Sequence, residues 1–266
     1  MREPVTTHVR SIRCAAIVFA AALRVAVLPG PAEAAGCSFE AQGEGRVADV
    51  VDARSFRLDD GREVRLAGIE PVAAAAVDQW SALTAIIGER RVRLSGEDDA
   101  PDRYGRQIAF VFLASSEDSV QEQLLSQGEA LVSGSVTNKD CAAAMMAAEA
   151  AGRRAKRGIW ADPSAIKNAE SPGDILAGIG LFTVVEGKVL SVRQAGATTY
   201  LNFGRNWTQG FAATISKRAE SAFETAGIVV KSLENRQIRV RGWVEAHGGP
   251  RIDLVGAGQI ELIGGN

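Results

Sequence analysis

The chain has 266 residues, enough for one large or two ordinary domains, and its hydrophobic content of 46% is typical of a globular protein with a packed core. Its 30 basic and 32 acidic residues nearly cancel. This balance excludes a strong overall field that would attract nucleic acid, so any anion-binding site must be local.

The N-terminus has the pattern of a secretory signal peptide over residues 1–35. Three arginines within the first thirteen residues precede an apolar segment, Cys14–Leu23, which is too short to span a bilayer. The small-x-small sequence at Ala32-Glu33-Ala34 suits a cleavage site. We therefore expect a periplasmic or secreted protein with no transmembrane segment in the mature chain. The alternatives are a disordered or amphipathic leader, or lipid attachment at Cys37, which the preceding small residues disfavour.

Cleavage near Ala34 would leave two cysteines, Cys37 and Cys141, and a single histidine, His247. An even pair of cysteines in an exported protein predicts a disulfide between them. A loop of this length would contribute about 3–5 kcal/mol on the chain-entropy estimate. One histidine excludes a metal site made of several histidines, and a Ser-His-Asp triad would have to use His247.

Short strands and tight turns are predicted at the start of the mature chain. Strand-like residues run from Arg46 to Leu58 and are broken by a polar turn at Asp52–Ser55, and an Asp-Gly turn leads to a third strand over Val64–Ile69. Helical spacing follows over residues 73–87. Two further strands are predicted over Arg91–Leu94 and Ile108–Leu113. Five short strands joined by tight turns favour a small barrel over a parallel sheet.

The second half of this region is helical and is followed by another β-rich segment. A capping box at Ser119–Glu122 begins a short helix that Gly128 can end, and residues 140–157 form an alanine-rich helix. Residues 163–178 are polar and are predicted to be a linker. Residues 179–266 are almost all β, with one helix predicted over Ala212–Ala226. The fold class is therefore mainly β with helices, α+β, with domains at residues 36–162 and 179–266.

Two arginine-containing motifs bear on function: Val64-Arg65-Leu66-Ala67-Gly68-Ile69-Glu70-Pro71 and Asp102-Arg103-Tyr104-Gly105-Arg106-Gln107. Together with Gly158-Ile159-Trp160 they resemble the staphylococcal nuclease, or thermonuclease, family over about Gly45–Asp162. The resemblance implies an OB-type five-stranded barrel with three helices. It also implies calcium-dependent hydrolysis of phosphodiesters by carboxylates and two arginines.

The resemblance gives Arg65 and Arg106 the role of phosphate-binding catalytic arginines, and Tyr104 matches the tyrosine of the same turn. A guanidinium is planar and can hold a phosphate through two parallel hydrogen bonds. The alternative is that each arginine forms a structural ion pair with a nearby carboxylate.

The carboxylates match the family less well. Asp52 and Glu70 fall at two of its metal-ligand positions, whereas Arg54 replaces another aspartate and Val72 falls at or beside the general base. A cation at a metal position opposes calcium binding, and loss of a general base costs ~10²–10⁴-fold in rate. We therefore expect no cofactor, with Ca²⁺ binding only if the nuclease site is functional. A site rebuilt from other acids, such as Asp98, Asp99 and Asp102, is an alternative.

The segments Tyr200–Gly204 and Val240–Val244 resemble a second OB-like module. In the latter strand Arg239, Arg241 and Trp243 lie on one face, and arginine beside an exposed aromatic suits stacking on single-stranded nucleic acid. The alternative is that Trp243 packs against a helix or the first domain while the arginines remain in solvent. Three further aromatic residues are expected in the core: Tyr200, Phe203 and Trp207.

The sequence thus predicts an exported two-domain protein with a degraded nuclease site. It would act as a non-catalytic scaffold for nucleic acid, another anion or a protein. An active calcium-dependent DNA or RNA endonuclease with altered ligands is the alternative. A module that binds only other proteins is a third hypothesis.

Overall fold

The computed structural model describes residues 1, 37, 39–72, 80–97 and 99–264. Ala34–Asn266 form one compact unit, to which all elements described below belong. Three predicted features lie outside the described residues: residues 2–35 of the predicted leader, the first part of the predicted helix over residues 73–87, and Asp98 of the alternative metal site. No helix in the described ranges is both long and apolar enough to cross a membrane.

Five strands of the described chain close into a barrel in the order β1-β2-β3-β6-β5. Neighbouring strands are antiparallel except for the parallel pair β3 and β6. This confirms the predicted five-stranded barrel and the α+β class. The strands of this first module are β1 (Glu40–Asp52), β2 (Ser55–Leu58), β3 (Glu63–Leu66), β4 (Ile69–Pro71), β5 (Arg91–Gly96), β6 (Gln107–Leu113) and β7 (Ala130–Val132).

The predicted third strand is in fact two strands. β3 ends at Leu66, and the chain turns at Gly68, whose φ of +73° is readily adopted only by glycine. The chain then enters β4, which pairs with β7 outside the barrel. Glu70 therefore lies on a different strand from Arg65, and the turn carries it towards the first hairpin.

Helices α1 (Ser81–Ile87), α2 (Val120–Gln127) and α3 (Lys139–Arg154) accompany the barrel. The predicted capping box is confirmed: the Ser119 hydroxyl accepts from the Glu122 N–H at 3.1 Å, and the Glu122 carboxylate accepts from the Ser119 N–H at 2.8 Å. Gly128 ends α2 with a φ of +75°. The predicted disulfide is also present, joining Cys37 to Cys141 in the first turn of α3.

Within residues 163–264, all of which the structure describes, eight strands form one mixed sheet in the order β10-β11-β12-β14-β13-β9-β8, with β15 beside β13. Its core contains Leu201, Phe203, Ile215, Val240 and Ile252. The strands are β8 (Ile166–Asn168), β9 (Phe182–Lys188), β10 (Ser191–Ala195), β11 (Thr198–Asn202), β12 (Ala212–Ser216), β13 (Gln237–His247), β14 (Gly249–Leu254) and β15 (Ile260–Leu262).

Two predictions for this second module are wrong in detail. Residues 163–178 are not a free linker, because β8 pairs in parallel with β9, and helix α4 (Pro172–Leu176) buries Ile175 in the core. Ala212–Ala226 is only partly helical. β12 occupies its first five residues, and Ser216 then caps helix α5 (Lys217–Thr225).

The two modules pack against each other. Three residues of the first module, Val72, Leu131 and Trp160, form a separate cluster of buried side chains with Val184 of the second module. A buried ion pair between Glu149 of α3 and Arg241 of β13 crosses the same interface. The orientation of the modules is therefore fixed by both apolar packing and charge.

Candidate anion-binding site on the barrel

Three arginines approach one another where the first hairpin, the end of β3 and the start of β6 meet. Strand pairing places Ser55 opposite Arg65, and Arg65 opposite Ile108, two residues after Arg106. Burial lowers the pKa of the Arg65 guanidinium, and the positive charges of Arg54 and Arg106 lower it further. The carboxylates of Glu70 and Asp52 act in the opposite direction, so Arg65 lies among charges of both signs.

Arg54 is held by the two residues predicted as metal ligands. Its guanidinium forms an ion pair with the Glu70 carboxylate and donates to the Ile69 carbonyl at 3.3 Å. Its backbone N–H donates to Asp52 Oδ1 at 2.8 Å. The side chains of Arg54 and Glu70 are only 16% and 14% exposed, so solvent screens this pair weakly.

These residues do not fit a calcium ion. Calcium requires six or more oxygen ligands, usually including several carboxylates. Here the Glu70 carboxylate already faces a guanidinium, which would repel a divalent cation. Among the residues that the structure describes, no group of three histidine, cysteine, aspartate or glutamate side chains could hold a metal ion.

Arg106 is bound within its own turn. Its Nε and Nη2 atoms donate to Asp102 Oδ2 at 2.9 and 2.7 Å. Asp102 Oδ1 accepts the backbone N–H groups of Tyr104 and Arg106 at 2.8 and 3.0 Å. These bonds, led by those from the Arg106 side chain, lower the pKa of Asp102 to about 2, and the same contact raises the pKa of Arg106. The structural alternative for Arg106 is therefore realised, although its charge remains beside Arg65.

Asp102 is the partner of Arg106, whereas the sequence predicted it only as one of the acids of an alternative metal site. The spacing contained a signal, because an aspartate at the start of a turn commonly accepts backbone N–H groups two residues further on. The same residue then faces the arginine four positions later.

Tyr104 projects from this turn into solvent and is 65% exposed. The guanidinium carbons of Arg103 and Arg106 lie 4.7 and 4.9 Å from its ring centroid, within the range of cation–π contacts. The ring thus contacts two positive charges at the edge of the site.

Arg65 differs from its neighbours. Its side chain is half-buried, and it forms no hydrogen bond or ion pair with any other residue in the described ranges. Opposite it in β2 the Ser55 hydroxyl is buried and has no hydrogen-bond partner. Arg65 therefore has unused donor groups, which is the property that binding of an anion requires.

The residues predicted to bind a ligand in the second module do not form an open surface. Arg241 is fully buried and donates to Glu149 at 2.8 Å, and Arg239 pairs with Glu186 at 2.6 Å and with Glu261 at 2.9 Å. Trp243 is half-exposed and contacts Phe182 edge to face, with ring centroids 5.8 Å apart. The stacking prediction is therefore wrong for both arginines, and so is the alternative that left them in solvent.

Comparison with known families matches residues 74–162 to the family described as Staphylococcal nuclease homologue. No curated protein matches the chain. The matched region includes the Arg106 turn and the helices, and it begins after β4. It therefore does not include Arg54, Arg65 or Glu70.

Proposed function

We propose that this chain, which contains a staphylococcal nuclease homologue domain, is an exported, non-catalytic protein that binds a phosphate-bearing anion at Arg65. The proposal depends above all on the ion pair between Arg54 and Glu70. That pair engages the carboxylate that a metal would need, and it places a guanidinium beside Arg65.

The arrangement favours binding over catalysis for a chemical reason. Phosphodiester hydrolysis needs a base to activate water and groups that stabilise developing charge on the phosphate. Val72, at or beside the family's base position, is a buried apolar side chain. Charge stabilisation alone, without an activated nucleophile, gives a bound phosphate and no bond cleavage.

Each arginine has a distinct role in the proposed site. Arg54 and Arg106 are already bonded to carboxylates, so they act on a ligand mainly through their charge. Arg65 supplies the free hydrogen-bond donors. Because two of the three charges are locally neutralised, we expect weak binding of a single phosphate and a clear decrease in affinity with salt.

The test is calcium titration by calorimetry, together with a nuclease assay on the same sample. We expect neither calcium binding nor cleavage of DNA or RNA. Titration with inorganic pyrophosphate at low salt should show binding that Arg65→Ala removes. The control is Arg46→Ala, which removes an exposed arginine of β1. Calcium-dependent cleavage that is lost in Arg65→Ala would overturn the proposal.

An active calcium-dependent phosphodiesterase is the second candidate. It is favoured by Arg65, Tyr104 and Arg106, which occur together at one end of the barrel as the family resemblance implies.

Export is proposed on the N-terminal pattern, and the disulfide between Cys37 and Cys141 is compatible with an oxidising compartment.

A further inference from the structure

The second module carries an outward-facing surface that the barrel site does not use. Side chains alternate along its strands, so while Leu201 and Ile252 enter the core, Tyr200 and Arg251 face the other way. Strand pairing places Tyr200 opposite Arg193. The guanidinium carbon of Arg251 lies 6.0 Å from the centre of the Tyr200 ring.

A loop at the end of this sheet displays a tryptophan. Residues 204–210 connect β11 to β12, and Trp207 is 78% exposed, more than any other aromatic side chain in the described ranges. This contradicts the prediction that Trp207 lies in the core. Tryptophan is enriched at interaction sites, where its large ring supplies apolar contact area.

The loop that carries Trp207 is held in place by internal bonds. Asn206 Oδ1 accepts hydrogen bonds from the backbone N–H of Thr208 at 3.1 Å and from its hydroxyl at 2.7 Å, and the Gly210 N–H donates to the Asn206 carbonyl at 2.7 Å. A Cβ on Gly249 would lie 2.6 Å from the Gly210 carbonyl oxygen, so the loop packs directly against the start of β14. Arg251 follows two residues later. A fixed loop loses little conformational entropy when its side chain binds a partner.

Arginines outnumber acids around these rings by three to two. Arg205 and Arg251 have no ion pair with any other described residue. The two nearby acids are Asp253 and Glu245, and strand pairing places Glu245 opposite Arg251. Asp253 accepts a hydrogen bond from the Thr214 hydroxyl, and Glu245 contacts His247 at 2.9 Å. Arg193 is the third arginine. The pKa of Glu234 is lowered mainly by its hydrogen bond from Lys231, and Arg193 adds a smaller effect in the same direction.

We propose that Tyr200, Arg205, Trp207 and Arg251, named here the aromatic–arginine surface, bind single-stranded nucleic acid. Bases would stack on Trp207 and Tyr200, and the arginines would contact phosphates. Every base has a π face, so such stacking tolerates any sequence. A duplex hides those faces between its base pairs, so single strands should bind more tightly.

The first test is fluorescence anisotropy with labelled oligothymidine of about 15 nucleotides, a length near the upper site size of one such module. We expect Trp207→Ala to weaken binding roughly five- to hundred-fold, the range for loss of one stacked base. Because this ring is in solvent, its loss should leave the fold intact. The matched control is Trp80→Ala, which removes another exposed tryptophan, in the first module.

The second test measures the same affinity as a function of salt. Arg251→Gln should make the plot of log affinity against log salt shallower by about 0.7, the value for one phosphate contact on a single strand. Arg218→Gln, an exposed arginine of α5, should leave the slope unchanged. Equal affinities of the wild type and Trp207→Ala, or tighter binding of a duplex of the same length, would overturn the proposal.

This surface is independent of the barrel site, and the variants separate the two. If Arg65→Ala loses pyrophosphate binding but keeps the Trp207-dependent affinity for oligothymidine, both proposals hold. Loss of the Trp207 effect alone contradicts only the aromatic–arginine surface.

Discussion

Arg54 determines what the barrel site can bind. Its guanidinium contacts the Glu70 carboxylate and the Ile69 carbonyl, and its backbone N–H donates to Asp52. One residue therefore uses the oxygen atoms of two acids and one carbonyl that could otherwise serve a cation. The consequence is a site in which a guanidinium occupies the place of a bound metal.

This role predicts the effect of Arg54→Asp. The variant frees Glu70 and adds a third carboxylate, so calorimetry should detect calcium binding with a Kd of about 10⁻⁴–10⁻³ M, as in weak oxygen-ligand sites. Arg54→Ala is the control, because it frees Glu70 without adding a ligand and should bind much more weakly. If calorimetry detects no calcium binding by a folded Arg54→Asp variant, then Arg54 is not what prevents calcium binding.

At the scale of elements, the turn before β6 is organised by one carboxylate. Asp102 accepts two backbone N–H groups of the turn and the side chain of Arg106, so it fixes both the turn and the arginine that follows it. A glycine with a φ of +79° at position 105 allows the chain to close this turn. The predicted anion site therefore depends on a local element as well as on the barrel.

The lowered pKa of Asp102 predicts how stability depends on pH. The pKa is about 2 in the fold and 3.8 ordinarily, so the carboxylate stabilises the fold above about pH 4, and this contribution is lost as the pH falls to about 2. Urea unfolding from pH 5 to pH 2 should therefore show a gap between wild type and Asp102→Asn that closes at the acidic end. Asp118→Asn removes a carboxylate that has no hydrogen bond to described residues, and it should show no such convergence. A gap of constant size for Asp102→Asn would contradict this reasoning.

For the whole molecule, the contact between modules is centred on a buried charge network. Glu149 of α3 and Arg241 of β13 are both fully buried and lie 2.8 Å apart, and Glu149 also accepts the Val132 N–H at 2.7 Å. Glu261, Arg153 and Arg239 extend the network towards solvent. Such a network tolerates little change in orientation, because each charge depends on partners from another element.

Removing one partner should therefore destabilise the protein strongly. Glu149→Leu leaves Arg241 buried without its main partner, and we expect a loss of about 3 kcal/mol in the free energy of unfolding, measured in urea. The double variant Glu149→Leu, Arg241→Met should lose less, because no buried charge remains unpaired. Arg91→Ala breaks an exposed pair with Glu44 and should cost less than about 1 kcal/mol. Similar losses of unfolding free energy for Arg91→Ala and Glu149→Leu would show that the buried network stabilises the protein no more than an exposed ion pair does.

The sequence by itself determined the features that depend on local order. Alternating apolar residues and tight turns specify the barrel strands, the capping box at Ser119 specifies the start of α2, and two cysteines specify the disulfide. The motifs around Arg65 and Arg106 also located the candidate site. In each case the cause acts over a few residues or, for the disulfide, on a choice among three cysteines that the predicted removal of the leader with Cys14 reduces to one pair.

Only the tertiary structure decided what covers each side chain. The alternation along β13 correctly placed Arg239, Arg241 and Trp243 on one face. However, α3 covers Arg241 and provides Glu149, and the neighbouring strand β15 provides Glu261 to both arginines. In the same way, Arg54 meets Glu70 only because the turn at Gly68 redirects the chain into β4. Local periodicity tells which direction a side chain points, whereas the element that meets it is set by packing between residues distant in sequence.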